Sequence, residues 1–115
     1  MLTFKLDVNL VGINSAMSAA WSVANEVFQE FGLDVCQVND AVSFNHSEAS
    51  LHNSGNAIDI DTHDGPRDNR VSKFSAGVSV QLVADTIADR LPADFDVIFH
   101  DTHIHIEFQP KRSNR

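Results

Sequence analysis

The chain has 115 residues, 43% of them hydrophobic, and a formal net charge of −8. That fits a single domain over residues 1–115 with a modest core, and the acidity argues against a nucleic-acid partner, whose phosphates would be repelled. No apolar run reaches the length of a membrane span, the N-terminus lacks the leader of a signal peptide, and a lone cysteine, Cys36, excludes an internal disulfide and a cysteine-based zinc finger.

Taken in chain order, Phe4, Leu6, Val8 and Leu10 alternate with Thr3, Lys5, Asp7 and Asn9, the period of a half-buried strand. Asn14 or Ser15 offers an N-cap for a helix whose apolar stripe is Met17, Ala20, Trp21, Ala24, Val27, Phe28 and Phe31. Gly32 suits the C′ position of that helix. Residues 33–38 and 41–44 read as short extended pieces, with Cys36 buried and inert in the first, and residues 45–55 as polar and irregular. Residues 57–61 predict a strand with Ile58 and Ile60 inward and Asp59 and Asp61 on the opposite face.

Residues 62–75 read as a charged loop broken at Gly65-Pro66. Asp61, Asp64 and Asp68 match no EF-hand spacing, so they predict a solvated acidic loop rather than a calcium site. Val80, Val83, Ala84, Ile87, Ala88 and Leu91 predict a second helix, stopped by Pro92. Phe95, Val97 and Phe99 then alternate, Asp101-Thr102 forms a tight turn, and residues 103–108 make a last strand. In that strand Ile104, Ile106 and Phe108 face one way, and His103, His105 and Glu107 the other. The pattern predicts an α+β domain: a small, mainly antiparallel sheet with two helices on one face, ending in a flexible basic tail over residues 110–115. His46, His63 and His100 stand outside any motif and read as surface groups.

Two segments carry chemistry. One is Ser50-Leu51-His52-Asn53-Ser54-Gly55-Asn56-Ala57-Ile58-Asp59; the other is His103-Ile104-His105. With no second cysteine available, a metal site must be built from His, Asp and Glu. His52 and Asp59 can supply an imidazole nitrogen and a carboxylate oxygen if the chain doubles back between them. Asn53 to Asn56 is turn chemistry, and Gly55 permits backbone geometry closed to bulkier residues. A strand that brings His105 opposite completes three protein ligands and leaves a fourth position for water, the mark of a catalytic rather than a structural zinc. Glu107 shares the face of His105 and suits an outer-shell role.

At these residues the chain resembles the M15 family of zinc peptidases that cut bacterial cell-wall peptides, whose fold is shared with hedgehog signalling domains. The family pattern is Ser-x-His-x-x-Gly-x-Ala-x-Asp, and residues 50–59 match every fixed position. The family's later motif, often His-x-His on a strand, is matched at residues 103–105. The resemblance spans residues 15–108. It implies a hedgehog or D-Ala-D-Ala-peptidase type of fold, zinc held by His52, Asp59 and His105, and His103 flanking the metal to steady the transition state or move protons. It further implies a metallopeptidase acting on the peptidoglycan stem peptide, in the manner of small phage endolysins or virion-associated relatives. The expected protein is a monomer, made in the cytoplasm and acting on the cell wall.

Two departures matter. Many relatives carry an acid three residues before the last His, where this chain has Thr102, with Asp101 one step further off. Asp101 therefore competes with His103 for the acid–base role. Relatives also hold a substrate carboxylate with an Arg, yet residues 37–50 contain none, which leaves Arg67 or Arg70 as substitutes.

Overall fold

A computed structural model describes residues 1–42, 55–66 and 68–110. Strand β1 (Leu2–Phe4) is followed by helix α1 (Met17–Glu30), β2 (Cys36–Asp40), β3 (Ala57–Asp61), β4 (His63–Asp64), β5 (Val71–Ser72), α2 (Val80–Arg90), β6 (Phe95–Phe99) and β7 (His103–Phe108). The main sheet has the order β1-β2-β3-β7-β6, while β4 and β5 form a separate ribbon. Among the described residues only the β1–β2 pair is parallel. The α+β class, with a mostly antiparallel sheet and two helices packed against its apolar face, is as the periodicities predict.

The first helix forms for legible reasons. Its buried residues, Met17, Ala20, Ala24, Val27 and Phe28, are the predicted stripe, and Trp21 and Phe31 pack at the edge of the core. Gly32 takes φ +90°. Its N–H donates to the Gln29 carbonyl while that of Leu33 donates to the Phe28 carbonyl, the paired bonds of a Schellman motif. At the other end the N-cap is Ala16, with no side-chain cap, rather than the predicted Asn14 or Ser15; the Asn14 side chain instead accepts from the Ala16 N–H at 2.9 Å in a turn just ahead of the helix. In α2 the Ser79 hydroxyl accepts from the Leu82 N–H at 3.0 Å. Ala88 lies on the exposed side, outside the buried stripe of Val80, Val83, Ala84 and Ile87.

Several predicted boundaries move. The first strand ends at Phe4, whose ring meets Trp21 edge-on at 5.2 Å. The Val8 N–H then bonds the Lys5 carbonyl, which turns the chain away from the sheet and leaves Leu6 fully exposed. Alternation persists beyond the point where there is a sheet to read it. The next strand is Cys36–Asp40, which overlaps the end of the first predicted piece and stops short of the second, because Cys36 pairs with Leu2 and Val38 with Phe4. Residues 43–54, including most of the predicted irregular segment, His46 and His52, lie outside the described residues, as do Arg67 and residues 111–115 of the tail. The predicted charged loop contains the β4–β5 ribbon, whose strands are too short to show a period.

The core fixes the register that matters for function. Ile58, Ile60, Ile104 and Ile106 are fully buried, and each is worth roughly 2 kcal/mol in the core. A one-residue slip of β3 against β7 would turn all of one strand's isoleucines to the polar face. The register that buries them pairs Asp59 with His105, Asp61 with His103 and Ala57 with Glu107 on the opposite face.

Candidate metal centre

On that polar face the side chains of β3 and β7 converge. His105 Nδ1 lies 2.9 Å from Asp59 Oδ1, and His105 Nε2 lies 2.8 Å from Glu107 Oε1. All three side chains are about six-sevenths buried, at 14–15% exposure. Gln109 also donates to Glu107 and fixes that carboxylate. A carboxylate on each ring nitrogen is a demanding arrangement. A neutral imidazole has a single N–H and can satisfy one acceptor. If Nε2–H donates to Glu107, Nδ1 presents a lone pair to Asp59, and either a proton or a cation must lie between them. Outer-shell carboxylates orient metal-bound histidines in this way. The donor set, one imidazole nitrogen and one carboxylate oxygen side by side, therefore fits a zinc ion shared by Asp59 and His105.

The backbone around this pair is shaped for it. Strand β2 carries a bulge between Val38 and Asp40, where its register on β3 shifts, so that Asp40 pairs with Asp59. Bulges of this kind re-aim neighbouring side chains. Upstream, Gly55 has φ +77°, and a Cβ there would lie 2.1 Å from the Gly12 carbonyl oxygen. The Gly55 carbonyl accepts from the Asn14 N–H at 2.8 Å, and Asn56 Oδ1 accepts from Asn14 Nδ2 at 2.9 Å. The glycine of the motif thus seats the approach to Asp59 against the start of α1. Gly55→Ala combines a left-handed backbone with a backbone clash, and should cost roughly 2–4 kcal/mol of stability in chemical denaturation.

His103 stands beside the pair. Its Nε2 is 3.9 Å from Asp59 Oδ1, and its Nδ1 is 3.4 Å from the Thr102 hydroxyl. Thr102 thus touches the ring of His103. Asp101 is exposed at the hairpin tip. A cleft of about 470 Å³ opens next to these groups, lined by Asn39, Asp59, Asp61, Arg70, Thr102 and His103.

The structure brings Asp59, His103, His105 and Glu107 together. It places Asp101 in solvent, and His52 lies outside the described residues. Among the described residues, no group of three or more His, Cys, Asp or Glu is arranged to hold a metal ion. Cys36 faces the core, where burial pushes its thiol up to about 12, so it stays protonated and offers no thiolate ligand.

Within the acidic segment Asp64 and Asp68 are exposed, as its composition predicts, but Asp61 is not. Asp61 is only 8% exposed and pairs with Arg70 Nη2 at 3.1 Å and Lys73 Nζ at 3.0 Å. Lys73 also reaches Asp64 at 3.5 Å. Arg70 donates to the carbonyls of His63 and Gly65 as well, so it holds the β4–β5 ribbon against the sheet while lining the cleft. His63 is tied to the Thr62 hydroxyl at 2.8 Å.

His100 is the group that motif reading passes over. The two-residue turn pairs its N–H with the His103 carbonyl, and its ring stacks on that of His103, centroids 4.7 Å apart and planes at 25°. It also meets His105 edge-on at 6.3 Å. The available signal was the turn length, which puts residue 100 directly across from residue 103.

Comparison of the chain with protein-family models, curated proteins and solved structures finds no match in any of the three. No helix among the described residues is long and apolar enough to cross a membrane.

Proposed function

We propose that this chain is a zinc-dependent metallopeptidase that hydrolyses a peptide bond of the bacterial peptidoglycan stem peptide, on a fold of the hedgehog and D-Ala-D-Ala-peptidase type. The observation that carries the reading is the convergence of Asp59 and His105 at 2.9 Å, with Glu107 on the opposite nitrogen of His105. It stands at the end of a segment whose spacing matches the family pattern in full. His52, Asp59 and His105 are the proposed ligands. When bound, zinc supplies Lewis acidity and makes water a nucleophile near neutral pH.

The chain's own residues do the rest. Glu107 holds the tautomer and orientation of His105. His103 lines the cleft within reach of Asp59, where its imidazole can donate to a developing oxyanion or carry a proton to the leaving amine. Asn39 and Thr102 give the cleft neutral hydrogen-bonding walls suited to a peptide backbone. The proposed protein works as a monomer, synthesised in the cytoplasm and acting on the wall during phage lysis or from a virion. Glu107→Gln removes the charge opposite His105 and should weaken zinc binding about 10–100-fold in a competition titration, with the fold retained.

Mass spectrometry of digested muropeptides tests the reading. Stem peptides cut at a peptide bond with intact glycan strands are expected. Products of glycan cleavage alone contradict it. A second reading is a zinc-holding domain of the same fold that binds a partner without catalysis. Thr102 in place of an acid, and Asp101 out in solvent, favour it. Stoichiometric zinc with no stem-peptide products would select this second reading.

A further inference from the structure

We propose that His100 is a positioning residue of this site, whose ring holds the imidazole of His103 over the Asp59–His105 pair. The inference rests on the peptidase reading for its catalytic consequence, though not for its geometry.

The polar face of the sheet is a small grid. Asp59 and Asp61 of β3 lie across from His105 and His103 of β7, and on the far side of β7 Ile98 lies across from His105. The hairpin continues that pairing by one step, since the His100 N–H bonds the His103 carbonyl at 3.0 Å. His100 therefore occupies the next position on the same face. Its ring lies nearly parallel to that of His103, at 4.7 Å and 25°, and nearly perpendicular to that of His105, at 6.3 Å and 82°. The first contact restricts the tilt of the His103 ring. The second sets the His100 ring edge-on to His105, on the side towards which His103 would turn.

The restraint bears on the part of His103 that reaches the site. That side chain is one-third exposed, its Nε2 lies 3.9 Å from Asp59 Oδ1, and the Thr102 contact at 3.4 Å is long for a hydrogen bond. A stacked neighbour on a hydrogen-bonded hairpin position restrains the orientation of such a ring. A group that acts on a reacting atom loses rate steeply when misplaced, so the ring's orientation bears on turnover rather than on metal retention.

The test uses His100→Ala and His100→Phe, the second keeping a flat ring without its nitrogens. In the zinc-free full-length protein, the ring-proton signals of His103 are followed by NMR. In His100→Ala they should lose their ring-current shift and show a more mobile ring, and in His100→Phe both should return towards wild type. With zinc present, stem-peptide hydrolysis by His100→Ala should fall about tenfold in kcat with KM and zinc content unchanged, and His100→Phe should recover most of it. Unchanged His103 signals in His100→Ala overturn the proposal, as does a His100→Phe protein that matches His100→Ala. A wild-type chain that hydrolyses no muropeptide defeats the peptidase reading alone, because the NMR result still decides whether His100 positions His103.

Discussion

Asp59→Ala and His105→Ala should each weaken zinc binding by more than the roughly 10–100-fold expected of an outer-shell partner, since each removes a proposed ligand. Equilibrium dialysis with elemental analysis reads this directly. Thermal denaturation offers an independent measure, because a metal that binds only the native state stabilises it by about 2.7 kcal/mol at a free concentration one hundred times its Kd. Zinc should raise the midpoint of the wild-type chain and leave those of the two variants nearly unmoved. The variants should still fold, for both side chains project from the polar face while Ile58, Ile60, Ile104 and Ile106 hold the strands from the other. His52→Ala should lose zinc in the same way. Full zinc retention by any of the three removes that residue from the ligand set.

His103→Ala should keep both zinc and fold while losing catalysis. A preorganised donor at a developing oxyanion is worth about 3 kcal/mol, or roughly a hundredfold or more in rate. Asp101→Ala should lose less, because the side chain is exposed at the hairpin tip whereas His103 lines the cleft. Steady-state kinetics on a muropeptide, with zinc content measured on the same samples, separates the two. If Asp101→Ala alone abolishes turnover with zinc in place, Asp101 is the general base and His103 is secondary. If His103→Ala empties the site while His105→Ala keeps it filled, the two histidine roles are exchanged.

How much of this was legible depends on where the information lies. The isoleucine alternation of β3 and β7 is a period-two signal confined to two adjacent strands, so it placed Asp59, His103, His105 and Glu107 on one face from sequence alone. The stripes of α1 and α2 and the glycine after Phe31 were equally local. The failures are non-local. Leu6 to Leu10 kept a strand's alternation although the chain had left the sheet, since nothing in residues 5–10 encodes the turn at Lys5. The β4–β5 ribbon depends on Asp61 meeting Arg70 and Lys73, a pairing of charges that composition reads as a solvated loop. The bulge beside Asn39 is visible only once β2 and β3 are paired. His100 was passed over because motif reading follows spacing along the chain, and its neighbours lie across a hairpin.

The metal centre is most directly tested by X-ray absorption at the zinc edge of the zinc-loaded protein. A zinc held by the three proposed ligands should show a shell of nitrogen and oxygen atoms at about 2.0–2.2 Å, with the outer scattering of two imidazoles, and loss of one imidazole contribution in His105→Ala. A sulfur at about 2.3 Å, which only Cys36 or a methionine could provide, or a wild-type spectrum unchanged by His105→Ala, would contradict a zinc held by His52, Asp59 and His105.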